Sequence, residues 1–254
     1  MIRLMSETPK EETTMNRRSH LLLALLFFVP AMALAQTAHY QTHFPPEEFK
    51  ARWATIFDKI GDRAVAIVQG APLTRGFTLP RQSNEFYYLS GIETPGAYIL
   101  LDGRTRKATL IMPPRNERLE RSEGKVLSAD DAEQIKQLTG ADAVASTKAM
   151  GEEWLSELMK APAPTIFTLF TPAEGSAESR YELQNANAAI AADYWDGRVS
   201  REAHFVNLLR TRAPRADVRD LTANLDEMRS EKSPREIALI RRVEKASHPH
   251  LELW

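Results

Sequence analysis

The chain has 254 residues, with 33 basic and 34 acidic side chains and a formal net charge of −1. Hydrophobic residues make up 43% and charged residues 26%, which excludes a disordered chain, and the near-balance of charge excludes a polybasic nucleic-acid binder. Cysteine is absent, so disulfides, zinc–thiolate sites and thiol nucleophiles are excluded as well.

The first element is an address. Arg17 and Arg18 precede an unbroken apolar run from Leu21 to Val29, and Ala33-Leu34-Ala35 before Gln36 has the small-x-small pattern of a signal-peptidase site. A membrane-spanning helix needs roughly 20 apolar residues, and here Pro30 interrupts the run. Residues 1–35 therefore read as a signal peptide region rather than an anchor. The mature chain is expected to be periplasmic or secreted, with either Met1 or Met15 as the start.

After a linker at 36–44, Pro45-Pro46 opens a helix whose apolar face is Phe49, Trp53, Ile56, Phe57 and Ile60, with Gly61 as its stop. Ala64 to Val68 reads as a buried strand. Phe86 to Leu89 and Ala97 to Leu101 are expected as two strands, linked through the type II turn chemistry of Thr94-Pro95-Gly96. With Ala108 to Met112 they make an antiparallel meander. Arg115 to Lys125 alternates Arg and Glu and reads as an exposed mixed-charge loop, not a phosphate track.

Ser128-x-x-Asp131 starts a helix carrying Ala132, Ile135 and Leu138, which ends at Gly140. Met150, Trp154, Leu155, Leu158 and Met159 suggest another before Pro162. Thr165 to Phe170 is a strand candidate, Tyr181 to Tyr194 an alanine-rich helix, and Phe205 to Leu209 one more helix. Strands alternating with helices predict an α/β fold, a mixed sheet flanked by helices. Leu221, Leu225 and Met228 suggest a short helix. In the run that follows, Ser233 can cap, Pro234 sit at N1 and Glu236 at N3, and Ile237, Ile240 and Val243 give one apolar face. This reads as the first helix of a second domain.

Few residues point to chemistry. His39 and His43 have helical metal-ligand spacing but lie in the linker, and His248 and His250 flank Pro249 near the chain end. Glu85 and Asp102 could serve as an acid–base pair only if the fold brought them together. Ser83 and Ser90 lack a nucleophile-elbow context.

Two segments carry a family resemblance. Arg81, Glu85-Phe86-Tyr87-Tyr88, Gly91 and Pro95-Gly96 resemble the N-terminal domain of the aminopeptidase P (Xaa-Pro aminopeptidase) family. Met228-Arg229-x-x-Lys232-Ser233-Pro234-x-Glu236-Ile237 resembles the junction where that family enters its catalytic "pita-bread" domain. The resemblance implies a mixed sheet like the creatinase N-terminal, ribonuclease-H-like domain over 44–224, and at 225–254 the truncated start of the peptidase catalytic domain. It implies, for a full-length relative, a metalloaminopeptidase that releases the residue before a proline of a peptide, using two manganese ions.

The five metal-ligand positions of that family fall beyond this chain's match. No catalytic or metal residue is assigned here, no bound cofactor is expected, and the chain alone is expected to be inactive. The alternative is a non-catalytic oligomerisation or cover module that pairs with a full-length subunit, in a possible homo-oligomer. The residues the resemblance singles out are Arg81, Tyr87 and Tyr88, as candidates for a substrate-facing or subunit interface. Glu120 and Gly124 match the family's loop after Pro113-Pro114, but no Trp stands between them.

Overall fold

The computed structural model describes residues 40–73, 81–151, 154, 157, 160, 164–175 and 178–247. The signal peptide reading, His39, His248, His250 and most of the proposed helix at 150–159 lie outside the described residues.

Helix α1 (Pro46–Ile60) begins as expected, with proline at its first position, Glu47 and Glu48 in the first turn and Lys59 in the last, each complementing the helix dipole. It buries Phe49, Trp53, Ile56, Phe57 and Ile60. Strand β1 (Ala64–Gln69) follows. Then the expectation fails: Phe86 to Leu89 is not a strand but part of helix α2 (Asn84–Ser90). The run is rich in aromatic, strand-prone residues, yet the buried positions are Glu85, Phe86, Leu89 and Ser90, a helical repeat. Gly91 closes the helix in the left-handed conformation at φ 65°, where a Cβ would come within 2.5 Å of Gln41 and 2.8 Å of Phe49. Tertiary burial has overridden local strand preference.

Strands β2 (Tyr98–Asp102) and β3 (Lys107–Met112) complete an antiparallel meander, but its first strand is β1, pairing Val65 with Asp102 and Val68 with Ile99. The Pro95–Gly96 turn, with Gly96 at φ 73°, thus joins α2 to β2. The expected loop at 115–125 contains a short helix, α3 (Glu117–Glu123), because Asn116 accepts a bond from the Leu119 N–H and caps it. The Ser128–Asp131 capping box forms as expected, at a 3-10 turn leading into α4 (Ala132–Thr139).

Two four-residue strands carry too little pattern to read from sequence: β4 (Ala143–Ser146) and, after β5 (Thr165–Thr168), α5 (Arg180–Ala192) and α6 (Arg201–Arg212), β6 (Asp217–Asp220). The chain continues through α7 (Thr222–Ser230) into α8 (Pro234–Ser247). The Ser233–Glu236 box closes reciprocally, at 2.8 and 3.2 Å.

Among the described residues the sheet has six strands in the order β4-β3-β2-β1-β5-β6. The meander is antiparallel, and β4, β5 and β6 join in parallel. The strand β1 is central and buried on both faces, which explains its uninterrupted apolar run. Ala64, Ala66 and Val68 pack with α1, α2, α4 and α7, while Val65 and Ile67 pack with Val206 and Leu209 of α6. A mixed α/β sheet with helices on both faces is therefore observed. Among the described residues no helix is long and apolar enough to cross a membrane.

Candidate functional site

The site is built around α2. Seven residues are too few for a stable isolated helix, so its position depends on neighbours. Its last carbonyls lack intrahelical partners. Arg52 donates to the Tyr88 carbonyl at 2.6 Å, and the Trp53 indole donates to the Leu89 carbonyl at 2.9 Å. Arg52 is buried, stacks 4.0 Å from the Tyr88 ring centroid, and reaches Glu48 at 3.2 Å and Glu236 of α8 at 3.6 Å.

At the other end, Glu85 is fully buried. Its carboxylate receives Arg180 at 2.5 Å, Arg229 at 3.0 Å and the Glu174 N–H at 3.0 Å. Arg229 also donates to Glu174 at 2.6 Å, and Arg180 also pairs with Asp226. A buried carboxylate is tolerable only when so partnered. One side chain thereby joins α2, the loop after β5, the start of α5, and α7. The hydrogen bond from Arg229 holds Glu174 below the usual carboxylate pKa.

Of the resemblance-derived residues, the two tyrosines share one cavity and Arg81 stands apart. Tyr88 is held on both sides: its hydroxyl donates to the Met228 carbonyl at 3.3 Å and its ring lies under Arg52. Tyr87 and Tyr88, both half-buried, line a cavity of about 230 Å³ together with Arg52, Asn84, Arg229 and Glu236. Burial pushes both phenols above their ordinary pKa; Glu93 reinforces this at Tyr87, and Arg52 opposes it at Tyr88. Both hydroxyls thus stay protonated at neutral pH. Arg81 pairs with Glu93 at 3.2 Å and is largely exposed. The buried brace of this segment is its neighbour Gln82, which accepts from Ser83 N–H and donates to the Thr94 carbonyl, both at 2.9 Å.

The structure keeps other candidates apart. Glu85 belongs to the arginine hub, whereas Asp102 is bound bidentately by Arg104. Ser90 Oγ bonds the Phe86 carbonyl and the Ile92 N–H, a helix-end role. His43 lies 3.2 Å from Arg242. Arg52 was missed as a site residue, and Glu85 was weighed only as an acid–base partner of Asp102, not as the centre of an arginine hub. Arg52 had a signal: it stands three residues after Phe49, on the face that otherwise carries only apolar groups. The partners of Glu85 are 89 to 144 residues away in sequence and left none.

Comparison with known proteins bears on this arrangement. The family model "Aminopeptidase P, N-terminal domain" matches residues 49–167, from α1 into β5. Over that segment the chain is similar to an aminopeptidase P N-terminal domain. No curated protein matches the chain. Among solved structures, one assigned to aminopeptidase P from Bacillus anthracis is 16% identical with a TM-score of 0.59, over 78% of this chain and 43% of its own. Aminopeptidase P from Escherichia coli is 20% identical, TM-score 0.53, over 79% and 42%. Proline aminopeptidase P II from Yersinia pestis is 21% identical, TM-score 0.51, over 80% and 42%. These likenesses establish the fold. The chain spans about two-fifths of the length of the structures it matches.

The E. coli aminopeptidase P structures include a zinc-substituted form and a complex with the inhibitor Pro-Leu. The described residues do not fit a metal. No group of three or more His, Asp or Glu side chains among them is placed to hold one. The densest carboxylate group, Glu85, Glu174 and Asp226, is occupied by Arg180 and Arg229. Guanidinium groups already supply the positive charge that a cation would bring. The site offers protonated phenols, an amide and cations around a small cavity: groups for binding and positioning, with no nucleophile beside a base.

Proposed function

We propose that this chain serves an Xaa-Pro aminopeptidase as its N-terminal, non-metal module. The match of residues 49–167 to the aminopeptidase P N-terminal domain carries the reading. In it, a metalloaminopeptidase site of two divalent ions, manganese by family resemblance, acts on peptides with proline in second position and is built from polypeptide beyond the matched part. Support comes from coverage, since more than half of each related structure has no counterpart in these 254 residues. The module's contribution is to hold Tyr87 in the wall of the cavity that Glu236 of α8 also lines, with Glu85 and Arg52 fixing α2 against the helices that lead onward. The chain alone is without peptidase activity, and its route is export through a cleaved signal peptide to the periplasm or beyond.

The test is an Xaa-Pro peptide assay with Mn²⁺. The purified chain should release no amino acid, and its fusion to the catalytic portion of a relative should restore release. Release by the chain alone would refute the proposal. N-terminal sequencing of the exported protein should begin at Gln36. The second reading, a cover module acting on a full-length subunit, is favoured by half-buried Tyr87 in the wall of an open cavity. Co-purification with such a subunit, lost on Tyr87→Ala, would select it.

A further inference from the structure

Helix α5 is fixed by polar contacts at its start, and Leu183, Asn187 and Ile190 along one face are only half-covered. Ser179 and Glu182 form a capping box, and Arg180 enters the Glu85 hub. Beyond that, none of its residues is buried. The turn after it displays Tyr194, 89% exposed, Trp195, 91% exposed, and Val199, 51% exposed. The turn is nevertheless ordered: the Trp195 and Asp196 N–H groups both donate to Asp193 Oδ1, at 2.7 and 3.0 Å, and Arg198 grips Asp196 with two bonds. The two rings meet edge to face at 5.1 Å. A pre-ordered pair of exposed aromatic rings loses little entropy on docking and is typical of interface anchors.

The same chain carries a surface suited to it. A groove of about 470 Å³ is lined by Pro95, Pro113, Pro114, Val126 and Leu127, a mostly apolar wall. Glu120 also lines it, and its Oε1 is buried without a hydrogen-bond partner, while Oε2 is held by Arg115 at 2.8 Å. An unpaired buried acceptor is costly until a donor reaches it, and an indole N–H is a donor only. Charge agrees: the segment Arg115–Lys125 beside the groove has one more basic than acidic residue, and the turn Asp193–Val199 has one more acidic than basic residue.

We propose that the Tyr194–Trp195 tip docks into the proline-lined groove of a second copy of this chain, with the Trp195 indole donating to Glu120. Knob and groove sit on one polypeptide, so two copies can exchange tips reciprocally and close as a dimer. The proposal does not rest on the peptidase reading.

Sedimentation velocity and tryptophan emission of the full chain test it, using Trp195→Ala and Pro114→Asp. Both positions are solvent-exposed, so both variants should keep the wild-type melting curve. The wild type should associate with rising concentration while Trp195 emission moves to the blue. Each variant should raise the dissociation constant about 30-fold or more. An equimolar mixture of the two variants should associate more tightly than either alone, since one supplies the tip and the other the groove. A wild type that stays monomeric at its highest soluble concentration would overturn the proposal. So would Trp195→Ala associating like wild type, or a mixture no tighter than its components.

Discussion

Helices α2 and α5 are held by opposite means. The shorter, α2, buries four of its seven residues, and α5 buries none of its thirteen. The first could not stand alone; Arg52 and Trp53 complete its last carbonyls from outside, and its own Glu85 is held by Arg180 and Arg229. The second is alanine-rich, capped by its own Ser179–Glu182 box, and stands largely on local propensity. The contrast separates a part of the molecule whose geometry is fixed by tertiary contacts from a part that is displayed.

The largest expected effect comes from breaking the fixed part at its centre. Glu85→Ala leaves two guanidinium groups without their shared carboxylate, and removal of one partner of a buried ion pair costs about 3–5 kcal/mol. Urea denaturation should show that loss. Arg229→Ala should also be severe, and the double variant should lose much less than the sum of the two, since both changes remove one network. Additive losses would mean that the hub is not a unit.

Next is the grip on the C-terminus of α2. Arg52→Ala leaves the Tyr88 carbonyl without its donor and strips the stacking over the Tyr88 ring, a loss of about 1–3 kcal/mol. The counterpart on α5, Ser179→Ala, removes only a local cap and should cost about 1 kcal/mol. Faster amide exchange confined to α5 would be its signature.

This contrast also explains what could be read from sequence. Helices whose signals are local were legible: Pro46 and Gly61 bound α1, and the Ser128 and Ser233 boxes form where the residues placed them. The central strand was legible because burial on both faces leaves an apolar run. Residues 84–90 were misread because their helical state is imposed from a distance, by side chains 36 residues earlier and up to 144 later. The candidate site divides the same way. Tyr87 and Tyr88 stood out by resemblance, and both line the cavity, but the hold of Arg52 and Met228 on Tyr88 left no local signal. Strands β4 and β6, four residues each at the sheet edges, carry little pattern of their own and take their place from parallel partners.

A smaller effect concerns pH. In the folded protein Glu174 titrates below its ordinary value of 4.5, because Arg229 bonds its charged form. A carboxylate with a depressed folded pKa stabilises the fold fully above its unfolded pKa, and that contribution is lost as pH falls through the folded value. Denaturation midpoints should therefore decline on acidification through the region below pH 4.5. Glu174→Gln should flatten part of that decline while leaving the plateau near neutrality lower than wild type. A Gln variant with an unchanged acid limb would place the acid sensitivity elsewhere.

The smallest effect on stability belongs to the displayed part, and there the comparison is sharpest. Trp195 is 91% exposed, and substitutions at such surfaces usually change stability by no more than about 0.5 kcal/mol. Trp195→Ala should leave the monomer's urea midpoint nearly where it was, in contrast to Glu85→Ala. A large loss would show that the tip packs within its own chain and would remove the basis for docking in trans. Unchanged stability together with weakened association would show that this aromatic pair contributes to contacts between chains and almost nothing to the fold that carries it.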